Sequence, residues 1–173
     1  MIVRPLTAAF VILTAALMTA TTGGADVPND PNESAVNLLF IHHSCGGQLL
    51  AAEGPREGGE ADSGERCIYV SHPNGGGLRD DLVAAGFQVN DASYGSTVGE
   101  DTDICHWHAK FRDQMDRILR TARQDQTLPE GQTNRIVAFK SCYPNNKFER
   151  PGDEPGDPDS CEKTVANAKA AYR

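Results

Sequence analysis

Three short apolar runs, each delivered into a polar or glycine-rich turn, set the plan of the chain. Val36-Asn37-Leu38-Leu39-Phe40-Ile41 is almost continuously apolar, which suits a strand buried on both faces of a parallel sheet. Phe87-Gln88-Val89-Asn90-Asp91-Ala92 follows Ala84-Ala85-Gly86, the usual join from helix to strand, and predicts a second strand. Arg135 to Phe139 (RIVAF) predicts a third. Between them the period changes to that of a helix. Leu49-Leu50-Ala51-Ala52 opens one after Cys45-Gly46-Gly47, and Leu78 to Ala85 forms another with Leu78, Leu82 and Ala85 on one face and Gly86 as its cap. Trp107, Phe111, Met115, Ile118 and Ala122 recur at helical intervals, a stripe that faces the core, with Lys110, Arg112, Asp113 and Arg117 falling away from it. Thr164 to Tyr172 is rich in helix formers, with Asp159 or Ser160 as N-cap. Gly54 to Arg66 and Ser141 to Glu162 read as loops.

Alternation of strand and helix argues for a parallel sheet with helices on both faces. Ligands in such sheets sit at the carboxyl ends of the strands. The three loops that leave those ends, Ser44–Gly47, Tyr94–Gly99 and Ser141–Asn146, are polar or glycine-rich and should meet at one edge.

The first 25 residues lie outside this pattern. Met1-Ile2-Val3-Arg4 is a short basic start, Pro5 to Ala20 is apolar, and Thr21 to Ala25 is a small-residue stretch fit for cleavage. That is the pattern of a secretory signal peptide, which predicts a secreted or periplasmic protein with no stable membrane span after cleavage; the alternative is a single N-terminal membrane anchor. Residues 26–35 then form a polar linker, and 36–173 one α/β domain. Five cysteines (45, 67, 105, 142 and 161) in an oxidising compartment predict disulfides, and the odd number leaves one free or bonded to a partner. Their irregular spacing lacks any CxxC, so no structural metal or other cofactor is expected. A net charge of −8 repels phosphate backbones and disfavours nucleic acid as a partner.

Candidate chemistry gathers at the predicted edge. Ser44 at a strand-to-helix turn is placed to act as a nucleophile, which needs a base for its proton and donors where an oxyanion forms. Its own N–H, the Gly95 N–H and the Asn145 side-chain amide would supply those donors. The plain alternative is that Ser44 caps the helix after it. Of the five histidines, His42 and His43 flank the site as substrate-binding neighbours, and His106 and His108 begin the long helix. His42-His43 meeting His106-x-His108 would make a metal cluster, but the spacing matches no zinc or iron signature. Lys140, charged after a buried strand, either lines the pocket and favours an anionic substrate or pairs with a loop carboxylate.

Three segments resemble the SGNH (GDSL-like) hydrolases. Ile41-His42-His43-Ser44-Cys45-Gly46 stands where the family's nucleophile block stands, with His43 in the place of its usual Asp. Ala92-Ser93-Tyr94-Gly95 is similar to the second block, and Lys140-Ser141-Cys142-Tyr143-Pro144-Asn145 to a divergent third block without an evident Gly. The resemblance implies a flavodoxin-like three-layer αβα fold, Ser44 as nucleophile, Gly95 and Asn145 as oxyanion donors, and hydrolysis of a carboxylic ester, an acylated carbohydrate among the candidates. The family's Asp-x-x-His segment does not occur before Arg173. The expectation is therefore a domain truncated at its C-terminus, with the catalytic His beyond Arg173 and little or no activity in these residues alone. A second expectation, from another class, is a non-catalytic extracellular module that binds a glycan or protein partner on the same fold. A disulfide-held structural protein is the third.

Overall fold

The computed structural model describes residues 35–58, 66–141 and 147–173. The predicted signal peptide and nearly all of the linker lie outside those residues, as do Cys142 and Asn145.

The apolar run folds as expected into strand β1 (Val36–Ile41). It is followed by helix α1 (Cys45–Leu50), short strands β2 (Ala52–Glu53), β3 (Glu57–Gly58) and β4 (Tyr69–His72), and helix α2 (Leu78–Ala84). Strand β5 (Phe87–Ala92), helix α3 (Ile104–Arg120), strand β6 (Ile136–Phe139) and helix α4 (Val165–Ala171) complete the order. β1 lies at the centre of a parallel sheet, in the order β5-β1-β6. The fold is thus mixed α/β around a small parallel sheet.

Because successive side chains of a strand point to opposite faces, β1 builds two cores at once. Leu39 and Ile41 pack with Trp107, Phe111 and Ile118 of α3. Leu38 and Phe40 pack on the other side with Leu50 of α1 and Leu78 and Leu82 of α2. A buried amide ladder ties the layers: Asn90 donates to the side chains of Asn134 (2.8 Å) and Asn37 (3.3 Å), and Asn134 donates to the carbonyls of Ile118 and Thr121.

Four sequence expectations are corrected. The stretch Gly54 to Arg66, read as a loop, contributes β3 to a second small sheet, β2-β4-β3, whose strands of two, four and two residues are too short to show an alternation. Helix α1 starts at Cys45, four residues before its first leucine pair, because Gly46 and Gly47 lie against the core. The N-cap of α4 is Thr164, whose hydroxyl accepts from the Asn167 N–H, and neither Asp159 nor Ser160 caps it. Lys110 does not fall away from the core side of α3: it is buried, three residues on from Trp107 and so on the flank of the same face.

Candidate active site

The carboxyl ends of the three parallel strands define one edge. Ile41 is in register with Ala92 of β5 and with Phe139 of β6. The ladder continues past the strands, with His42 N–H donating to Ala92 O and Lys140 N–H to Ile41 O, both at 3.0 Å. Ser44 and Gly95 each stand three residues beyond the Ile41–Ala92 pair.

Ser44 turns the chain from β1 into α1. It is exposed and has φ 44° and ψ −116°, a left-handed conformation in a residue that carries a Cβ. Such backbone costs about 1–3 kcal/mol and persists only where the surroundings impose it. Here the imposition is visible. A Cβ on Gly46 would lie 2.4 Å from His42 Cβ, and one on Gly47 would lie 1.6 Å from the Cys67 carbonyl oxygen. The turn has to be tight for α1 to settle there. The Ser44 side chain makes no capping bond to α1, so the capping alternative is not what the hydroxyl does.

His42 and His43 are placed unlike each other, and neither lines an open surface. His42 is wholly buried beneath the first turn of α1, which removes it from the substrate-lining role expected of it. Its Nε2 lies 3.5 Å from Asp91 Oδ2, and Arg79 reaches the other Asp91 oxygen at 2.9 Å. Burial alone would raise the Asp91 carboxyl, yet the His42 ring and the Arg79 guanidinium hold it below the ordinary carboxylate range. Neither ring nitrogen of His42 has a hydrogen-bond partner: Nδ1 is buried alone, and Nε2 meets Asp91 only at ion-pair distance. His43 is also buried, stacked on Tyr94. Its Nε2 donates to the Gly99 carbonyl, so Nδ1 is left to accept from the Thr102 hydroxyl at 2.9 Å. Burial lowers the imidazole from its ordinary value, against the opposing pulls of Gly99 and Glu100, so His43 is a neutral wedge with both nitrogens in use.

The loop after β5 is held from several sides. Lys110 Nζ donates to the carbonyls of Val98 (2.6 Å) and Glu100. Burial brings this ammonium down to about 8, partly offset by Asp101 and Glu100. The Gln124 side chain accepts from Ser93 N–H (2.8 Å) and donates to Tyr94 O (2.9 Å). Within this loop Gly95 has φ 79° and gives its N–H to Glu100 Oε1 at 2.5 Å, with the Arg66 side chain alongside. The expected oxyanion donor therefore already holds an anion of the chain itself.

After β6, Lys140 is half-buried and its ammonium donates to the Ser141 carbonyl at 3.0 Å; among the described residues it pairs with no loop carboxylate. Trp107 is core, as its place in the stripe predicts, and its indole N–H donates to Ser141 Oγ at 2.7 Å. Asn145 falls outside the described residues. The two histidine pairs do not converge on a metal. His106 faces Cys161, His108 bonds Asp159, and His43 is occupied as above. Cys105, His106 and Cys161 lie close together, but the two sulfurs are bonded to each other.

Sequence reasoning missed Asp91, Thr102, Lys110 and Gln124. For Asp91 a signal existed: an acid near the end of a strand of a parallel sheet is either exposed or paired. The other three lie in loops or on a helix flank and are chosen by tertiary contact.

Comparison with family models, with curated proteins and with solved structures finds no match for this chain.

Proposed function

We propose that the protein is a serine hydrolase of SGNH type, with a flavodoxin-like αβα fold, that cleaves carboxylic esters. The single observation that carries this reading is the backbone of Ser44. A strained, exposed serine at the carboxyl edge of a central parallel strand, with no capping bond, is what a nucleophile on a sharp strand-to-helix turn requires. The strand order supports it, since the crevice of a 2-1-3 sheet lies at the carboxyl ends of its first and third strands, here β1 and β6.

In this reading Ser44 Oγ attacks the acyl carbon and its proton passes to His42 Nδ1. Asp91, whose Oδ2 lies 3.5 Å from Nε2, stabilises the imidazolium. Among the described residues two histidines face a carboxylate, His42 with Asp91 and His108 with Asp159, and His42 is the one that stands two residues from Ser44, which supports a base within these residues. No Ser44–His42 hydrogen bond is formed in the free protein, so the step requires the two groups to approach when substrate binds. The Ser44 and Gly95 N–H groups and the Asn145 amide receive the oxyanion, and Glu100 must give up Gly95 first. One such donor is worth about 3 kcal/mol of transition-state stabilisation. Lys140 beside the third loop favours an anionic group on the substrate.

Hydrolysis of p-nitrophenyl acetate and butyrate tests this. The account expects turnover that Ser44→Ala abolishes and that Glu100→Gln raises by weakening the internal anion. Activity surviving Ser44→Ala overturns it. A second reading is favoured by one observation, the Glu100 carboxylate seated on Gly95. Here the same edge is a non-catalytic site that binds an acidic group of a glycan or protein partner. Binding of such a ligand without any ester turnover decides for it.

A further inference from the structure

A different feature, independent of Ser44, is the Cys105–Cys161 disulfide. It joins the first turn of α3 to the segment before α4, across a sequence separation of 56. Both cysteines line a largely apolar concavity together with Ile104, Phe148, Thr164 and Ala168. Cys161 is exposed. His106 Nδ1 accepts from Asp103 N–H at 3.2 Å, so the neutral ring carries its proton on Nε2, and Nε2 lies 3.8 Å from Cys161 Sγ. A bridge that serves only to fasten two segments needs neither a pocket in front of it nor an N–H donor beside its sulfur. We propose that Cys105–Cys161, with His106, is a thiol-exchange site that takes a small thiol with an apolar body.

The exchange balances with that thiol as reductant. Its thiolate enters the concavity and attacks Cys105 Sγ, forming a new S–S bond. The Cys105–Cys161 bond breaks and its electron pair leaves on Cys161 Sγ, where the His106 Nε2–H stabilises the thiolate. A second thiolate attacks the mixed disulfide. The external thiol departs oxidised as its own disulfide, both cysteines are reduced, and they take up the two protons lost by the incoming thiols. The same steps run backwards with a small disulfide as oxidant.

The test uses the full chain, with alkylation and mass spectrometry to follow the peptides that contain Cys105 and Cys161. Reduction by 1-butanethiol is compared with reduction by 2-mercaptoethanol, each rate divided by that for the urea-unfolded chain. The proposal expects reduction of the native chain, with butanethiol favoured about tenfold by its extra apolar carbons. His106→Glu should slow exchange at least about tenfold, because a carboxylate takes the place of the N–H donor beside the leaving thiolate. Glutamate at this third helical position keeps a capping box, so the helix start survives the change. The thiol series reads the pocket on the unaltered chain in any case. Reduction only after unfolding, equal corrected rates for the two thiols, or an unchanged rate in His106→Glu each overturn the proposal.

Discussion

His43 shows how much a single buried side chain is asked to do. It donates to the Gly99 carbonyl and accepts from Thr102, and burial lowers its pKa below the ordinary 6.5. The unfolded chain therefore binds a proton there at pH values where the folded chain does not. The stability this contributes is complete above pH 6.5 and is lost as the pH falls from 6.5 through the lowered folded value. Urea unfolding across that range should show stability falling toward acid in the parent, and a flatter profile in His43→Gln. A profile unchanged by the substitution contradicts the assignment. Gly46 makes a second, steric prediction. A methyl group 2.4 Å from His42 Cβ cannot be accommodated without moving α1. Gly46→Ala should cost about 1–3 kcal/mol in urea unfolding, as overpacking of a filled core does. From the sequence the Gly46-Gly47 pair is visible as a turn. That it exists to admit His42 is not, because the reason lies in a contact between layers.

At the level of elements, legibility followed the repeat. A nearly continuous apolar run gave β1, the helix-to-strand join at Ala84-Ala85-Gly86 gave β5, and the stripe from Trp107 to Ile118 gave α3. The β2-β4-β3 sheet leaves no such trace, since β2 and β3 have two residues each and β4 has four. Lys110 was misread for a related reason. Its charge argues for solvent, but its position flanks the core face, and a long aliphatic stem carries the ammonium past Trp107 to two loop carbonyls. Lys110→Met keeps the stem and strands those carbonyls, so stability should fall by about 2 kcal/mol. The pH dependence has a definite sign. With a folded value of about 8 against an ordinary 10.5, the unfolded chain holds the extra proton between these limits. Lys110 thus makes stability rise with pH over that interval, and Lys110→Met should remove the rise.

On the scale of the whole molecule, alternation of strand and helix made the parallel sheet and its carboxyl edge readable in advance. The contents of that edge were readable only in part. Ser44 could be placed because a strand and a turn place it. Its relation to Asp91, to Glu100 and to the occupied Gly95 N–H depends on contacts between residues far apart in sequence. Disulfide connectivity was likewise hidden, and the structure pairs Cys105 with Cys161 while Cys45 stands as an exposed thiol. Closing a loop across 56 residues stabilises a fold by about 4 kcal/mol through the entropy of the unfolded chain. Replacing both cysteines by serine should lower the urea-unfolding free energy by that order. Among the described residues no helix is long and apolar enough to cross a membrane. The central claim is that Ser44 is the reactive nucleophile of this edge. A fluorophosphonate probe added to the folded chain, followed by peptide mass mapping, tests it most directly. The account predicts one adduct, on Ser44, lost on unfolding and slowed in His42→Gln; a folded chain that leaves Ser44 unmodified, or an adduct on another residue, contradicts it.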